Sequence, residues 1–363
     1  MLRKIRKAFL GYLPAVIKTG ILRGRPFFYN AAEIRPSSAT LVVTEKCNLR
    51  CVMCKQWRST SKKELSTDEW KRIIADLRGG GIKNAHFTGG EPLLRGDIAD
   101  IVRYSDGLGI TTGLTTNGML LAGGTLGKLK DAGLRSIALS MDAVGKGYDR
   151  IRGVSGAFGR FEKAARELGD MKRKGLMDGY INFTLMKGNL PDLKEVKSFS
   201  DGLGLPVAIC VLDKSSFLFE LEENKDNFWI DTEEDFKKLD GALSFLKKEK
   251  RRLPASLLIN FPAIDYIRDY FRDPRQGGVP CVSSQDRVIV DTDGTLLGGC
   301  MSMGGFGSLV DSSFAELSGA ERYRTAKKNM FYKKCRGCSC GYVFNVRCVP
   351  GLIARDLIER IKG

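Results

Sequence analysis

Three cysteines stand within eight residues: Cys47, Cys51 and Cys54, in the run CNLRCVMC. A C-x3-C-x2-C loop can wrap three thiolates around one metal centre. His86 is the only histidine, and neither it nor a fourth cysteine is near the loop. A closed structural zinc site takes four ligands, so zinc would lack one here. A four-iron cluster held by three thiolates leaves one iron open to an outside ligand. Cys281, Cys300, Cys335 and Cys338 form a second set, with Cys340 and Cys348 behind them. Cys281 and Cys300 flank VSSQDRVIVDTDGTLLGG, a hairpin pattern turning at Asp293–Gly294 that would bring the two thiols together. Six cysteines cannot supply four thiolates to each of two clusters. One fully ligated site on Cys281, Cys300, Cys335 and Cys338 is the first reading. A second, incompletely ligated cluster on Cys340 and Cys348 is the alternative. A zinc ribbon on the same four cysteines competes with both. Cys210 reads as core, or as a thiol able to donate a hydrogen atom inside the fold.

The elements that position these residues alternate. Short apolar strands read at Thr40–Val43, Ala85–Thr88, Thr111–Thr115, Ser136–Ser140, Ile181–Met186 and Val207–Leu212. Helical patterns lie near Thr67–Arg78, Ile98–Ser105, Gly124–Ala132, Arg160–Arg173 and Leu193–Asp201. β-then-α units in series imply a parallel sheet with right-handed crossovers. The fold class is α/β, six β-then-α units followed by a small cysteine-rich domain. The cysteine loop follows the first strand, at the end where barrel enzymes carry their active sites. The chain divides into a basic segment at 1–37, a barrel at 38–250, a connector at 251–280 and a cysteine-rich domain at 281–363. The acidic, aromatic stretch Phe217–Trp229 reads as an insertion or lid, and His86 as a satisfied core residue.

The cysteine loop resembles the hallmark of the radical S-adenosylmethionine superfamily. Its members often have an aromatic residue before the third cysteine, where this chain has Met53. Further motifs follow at strand ends. Gly89-Gly90-Glu91-Pro92 resembles the GGEP motif, which the resemblance assigns to the cofactor's methionine amine. Thr116-Asn117-Gly118 resembles the TNG loop, and Ser140-Met141-Asp142 the S-x-D after the fourth strand. The resemblance makes Thr116 and Ser140 polar contacts to the cofactor. Arg152 would meet its carboxylate, and Asn189 its ribose or adenine. It implies a partial (β/α)6 barrel in which S-adenosylmethionine ligates the open iron of a [4Fe-4S] cluster. One electron then cleaves the sulfonium to methionine and a 5′-deoxyadenosyl radical, which abstracts hydrogen from a substrate C–H bond. The second cysteine set resembles the auxiliary-cluster extension, twitch in its short form and SPASM in its long form. The long form's C-x2-C-x5-C-x3-C run is here C-x2-C-x1-C-x7-C. Beside a barrel of this type, an auxiliary [4Fe-4S] cluster is favoured over zinc.

The 363 residues are 43% hydrophobic and 28% charged, which excludes wholesale disorder. Ten cysteines in that length is far below a disulfide scaffold. Net charge is +17. Residues 1–35 carry eight basic side chains against Glu33 alone. Ile5, Phe9, Tyr12, Leu13, Val16 and Ile17 recur at helical spacing there. This amphipathic stretch suggests peripheral membrane contact through residues 1–24, or packing on the protein itself. It lacks a small-residue cleavage site, so a secretory signal is rejected. No spanning helix is expected, since the first apolar run, Ala8 to Ile17, is half the length needed. No nucleic-acid motif appears. Oxygen-sensitive thiolate clusters suit a reducing compartment, hence the cytoplasm, with the inner membrane face as a variant. The expected partners are a flavodoxin or ferredoxin electron donor and a peptide or protein substrate. The alternatives are a membrane-associated small molecule as substrate, or a non-catalytic iron–sulfur electron carrier.

Overall fold

A computed structural model describes residues 35–58, 63–213, 228–274, 281–332, 334–335, 338 and 350–361. Alternation of apolar and polar residues sets the strands. In β5 (Asp178–Leu185), Ile181, Phe183 and Leu185 are fully buried, while Tyr180, Asn182 and Thr184 face the other way. The same alternation runs through β1 (Ser38–Val42), β2 (Asn84–Thr88), β3 (Thr111–Thr116), β4 (Ser136–Ser140) and β6 (Val207–Val211). The first face of each strand lies under helices. The second lines the inside of a curled half-barrel, the expected partial barrel.

Among the described residues the sheet has seven strands, in the order β6-β5-β4-β3-β2-β1-β7. All neighbours pair in parallel, so every strand's C-terminal end lies at one mouth. The seventh strand, β7 (Arg287–Val290), is the first arm of the expected hairpin, but its place in this sheet was not expected. It comes from the cysteine-rich part and pairs with β1, Ser38 opposite Arg287 and Leu41 opposite Val290. The chain then reverses at the expected Asp293–Gly294 turn, where Gly294 has φ +84°. Leu297 N–H donates to Ile289 O at 2.8 Å, closing the hairpin.

Helices cover the convex face. α1 (Thr67–Gly79) starts at a capping box between Ser66 and Glu69 and buries Trp70, Ile73, Ile74 and Leu77, one stripe at helical period. α2 (Ile98–Gly107), α3 (Thr125–Asp131), α4 (Gly145–Arg152), α5 (Ala157–Arg173) and α6 (Leu193–Gly202) follow successive strands. α4 escaped the sequence reading because GKGYDRIR is short and has only Tyr148 and Ile151 as large apolar residues. α7 (Glu233–Arg252) starts at a capping box between Thr232 and Asp235 and buries Phe236, Leu239, Leu243 and Leu246. The stretch read as a connector, 251–280, holds α8 (Phe261–Arg272), whose Phe261, Ile264, Ile267, Tyr270 and Phe271 are buried. Its three nearby prolines masked that stripe, although Pro262 sits at the first turn, where proline is tolerated. Trp229 packs edge-on against Phe271 at 4.8 Å, so this end of the expected lid belongs to the core. The rest of the lid, the basic segment 1–24, Cys340 and Cys348 lie outside the described residues. Among the described residues, no helix is long and apolar enough to cross a membrane.

Candidate cluster and cofactor site

The loop after β1 carries Cys47, Cys51 and Cys54, all partly buried. Cys54 N–H donates to Cys51 O at 3.1 Å, and Gln56 N–H to Cys54 Sγ at 3.4 Å. Burial pushes the Cys47 thiol up to about 11, against a Leu49 backbone hydrogen bond and with help from Cys51, Glu91 and Cys54. A loop in which Cys51 and Cys54 stand close enough to oppose ionisation of the Cys47 thiol is a donor set that a cationic iron cluster relieves. The residues therefore fit the group. Met53 is turned into the core.

The glycines of the GGEP-like run seat that loop. A Cβ on Gly90 would stand 2.2 Å from Lys46 O, and one on Gly89 2.3 Å from Thr44 O. The backbones are joined by Gly90 N–H to Thr44 O at 2.8 Å and Glu91 N–H to Lys46 O at 2.7 Å. Glycine is needed here for close approach of chain to chain.

The Glu91 carboxylate is fully buried. It accepts from Thr116 Oγ1 at 2.7 Å, Asn117 N–H at 2.8 Å and Leu93 N–H at 3.0 Å. Burial pushes its pKa up, opposed by these donors. Glu91 thus braces the ends of β2 and β3, and one carboxylate lone pair is left for an ammonium. Thr116 also belongs to the brace, accepting from Gly118 N–H. Asn117 links the brace to the cysteine loop, donating to Asn48 Oδ1 at 2.7 Å.

Ser140 is half-buried at the end of β4, with its hydroxyl on the inner face. Asp142 and Arg152 make a buried ion pair at 2.8 Å. Asp142 also accepts from Thr184 N–H at 2.6 Å. Arg152 Nη1 reaches Cys51 Sγ at 3.5 Å, and its guanidinium lies 5.2 Å from the Tyr148 ring. Against the cost of burial, Asp142 and then Cys51 hold Arg152 well above its ordinary value. Asn189 is fully buried. Its amide donates to Thr184 O and Asp142 O and accepts from Met186 N–H. Of the expected cofactor contacts, Ser140 has its hydroxyl available, whereas Asn189's amide is committed inside the protein.

His86 lies on the inner face, not in the helix-covered core. Its Nε2 is 2.6 Å from Thr115 Oγ1, and Gly113 makes room for the ring, since a Cβ there would meet Nδ1 at 2.9 Å. Burial lowers its pKa to about 4, so the ring is neutral at pH 7. Cys210 is also on the inner face, donating to Asn182 Oδ1 at 3.0 Å. Its thiol touches solvent, yet burial pushes it up to about 11. Both hold when a thiol lines a recess. The strand alternation alone could have marked both residues as inward-facing.

Three segments of the second set converge. Cys281 N–H donates to Phe331 O at 3.0 Å, four residues before Cys335. Gly299, beside Cys300, packs so closely that a Cβ would meet Ser284 O at 2.2 Å. Ser284 in turn donates to Cys281 O. Cys338 is partly buried, like Cys300 and Cys335. Among the described residues no three His, Cys, Asp or Glu side chains are grouped for a single metal ion.

Comparison with known proteins agrees with this geometry. Residues 41–199 match the Radical SAM superfamily. Over 165 residues the chain is 34% identical to the AdoMet-dependent heme synthase of Oleidesulfovibrio alaskensis, covering 45% of this chain and 42% of that one. Over 168 residues it is 32% identical to the PqqA peptide cyclase of Bradyrhizobium diazoefficiens, covering 46% and 43%. The chain thus spans less than half the length of these curated relatives. Its fold is similar to that of Streptococcus suis SuiB bound to S-adenosylmethionine, with TM-score 0.65, 15% identity, and 84% of this chain and 73% of that one covered. The similarity to the Radical SAM superfamily thus runs through the barrel, residues 41–199.

Proposed function

We propose that the chain is an enzyme that reductively cleaves S-adenosylmethionine and uses the resulting 5′-deoxyadenosyl radical to take hydrogen from a C–H bond of a peptide or protein. The observation that carries this reading is the three-thiol loop, held at the barrel mouth by the Gly90 contact and the Glu91 brace. Cys47, Cys51 and Cys54 would hold the [4Fe-4S] cluster, which supplies the electron for sulfonium cleavage when S-adenosylmethionine is bound. Ser140 and the remaining acceptor site of Glu91 would orient that cofactor. The inner face, with His86, Tyr180, Asn182 and Cys210, would receive the substrate and exclude water. The PqqA peptide cyclase among the relatives supports a peptide as substrate. Cys281, Cys300, Cys335 and Cys338 would hold one auxiliary cluster, able to accept an electron from a product radical.

Anaerobic reconstitution should give about eight irons per chain. Reduction with S-adenosylmethionine present should then release 5′-deoxyadenosine. About four irons together with bound zinc would remove the auxiliary cluster. An iron-loaded chain that yields no deoxyadenosine under several reductants would remove the catalytic reading.

The electron donor would be an acidic flavodoxin or ferredoxin, in a reducing cytoplasm. Arg50 and Arg58 are exposed on the cysteine loop, their guanidinium groups 6.0 and 4.8 Å from the Trp57 ring, beside the cluster ligands. Reversing both charges should slow cluster reduction by a flavodoxin about tenfold or more at low salt. Reduction by dithionite should be unchanged. Equal slowing with both reductants would exclude docking here. Peripheral membrane contact through residues 1–24 is the accompanying proposal. Loss of liposome flotation on deleting them would support it, and unchanged flotation would remove it.

A further inference from the structure

We propose that Arg152, balanced by Asp142, is a positioning residue that sets the reduction potential of the cluster on Cys47, Cys51 and Cys54, acting through the sulfur of Cys51. This rests on the reading of that loop as a cluster site. The guanidinium lies between a carboxylate and a ligand sulfur. Nη2 is 2.8 Å from Asp142 Oδ2, and Nη1 is 3.5 Å from Cys51 Sγ. Arg152 is 4% exposed and Asp142 1%, so solvent and salt screen both charges far less than surface ones.

The backbone prevents the pair from drifting. Arg50 N–H donates to Arg152 O and Val52 N–H to Ile151 O, both at 3.0 Å. These are unpaired carbonyls at the end of α4, and they strap the cysteine loop to the helix. Gly153 follows at φ +68°, and a Cβ on it would stand 2.4 Å from Arg50 O. Loop, helix end and ion pair therefore move as one body.

Cluster potential depends on net charge, hydrogen bonds to the sulfurs and exposure. Reduction adds one negative charge. A cation hydrogen-bonded to a ligand sulfur favours the reduced state and raises the potential. Asp142, on the far side of the guanidinium, offsets part of that effect. Two charges of opposite sign acting on one sulfur predict shifts of opposite sign. Mere disruption of the loop does not.

The test is an EPR-monitored redox titration of the reconstituted full chain, following the signal that S-adenosylmethionine perturbs. Arg152→Met should lower the reduced-to-oxidised ratio at fixed potential about tenfold, a fall of about 59 mV in midpoint for one electron. Arg152→Lys, which keeps the charge, should fall less. Asp142→Asn should raise the midpoint. The double variant Arg152→Met with Asp142→Asn should lie between the single variants. If Arg152→Met fails to load iron, the lysine and Asp142→Asn variants still decide the sign. Unmoved midpoints, or shifts of the same sign for both residues, overturn the inference. A wild-type chain with no such signal overturns the functional reading first, and this one with it.

Discussion

Replacing Gly90 with alanine is expected to empty the amino-terminal cluster site while the rest of the chain stays folded. The new methyl group would stand 2.2 Å from Lys46 O and 2.6 Å from Glu45 O. Both are backbone atoms, so no rotamer change relieves the clash. The loop that must yield is the one carrying Cys47, and it is also held through Glu91 N–H to Lys46 O at 2.7 Å. Overpacking of this kind costs about 1–3 kcal/mol, and the strain falls on the spacing of the thiols. With the proposed auxiliary cluster kept, iron per chain after reconstitution should fall by about half. Gly159→Ala is the control. Gly159 lies inside α5 with nothing within 4 Å of the added carbon, so alanine there should stabilise the chain by about 1 kcal/mol. Full iron in the Gly90 variant would show that the close approach does not position the cluster loop.

Replacing Glu91 with alanine should be the most destabilising single change at the mouth. It strands the Thr116 hydroxyl and the N–H groups of Asn117 and Leu93, and it opens a hole between β2 and β3. Each buried donor left without an acceptor costs about 1–3 kcal/mol. Some relaxation and water entry offset this, so the expected loss is about 4 kcal/mol, read from anaerobic urea unfolding. The brace also orders the loop that links Asn117 to Asn48 between the cysteines. The variant's reduced cluster should therefore lose its EPR response to S-adenosylmethionine, even where iron content is kept. Glu91→Gln keeps the shape but turns an amide donor towards another donor, and should lie between wild type and alanine. A loss below about 1 kcal/mol for alanine would show that the three hydrogen bonds are not buried in solution.

Strands and their crossover helices were legible wherever burial followed a strict period, as in Ile181, Phe183 and Leu185 or in Trp70, Ile73, Ile74 and Leu77. The helix of Phe261–Arg272 was hidden by prolines that fall at or beyond its ends. The strand Arg287–Val290 was legible as half of a hairpin, but its pairing with β1 was not. That pairing joins residues about 250 positions apart, and no local pattern records it. The grouping of the cysteines at 47, 51 and 54 was legible because it is written into short spacing. The contacts that Arg152 and Asn189 make within the protein were not. The same side chain serves a ligand or a neighbour according to what surrounds it.

Sequence alone thus determined a parallel barrel with a three-thiol loop at its mouth, since hydrophobic period and cysteine spacing are local properties. Only the tertiary structure decided that Glu91 is a brace and that Arg152 faces the Cys51 sulfur and Asp142. Those assignments depend on which buried donors and acceptors meet across strands, and the cost of leaving one unmet is paid only in the folded chain.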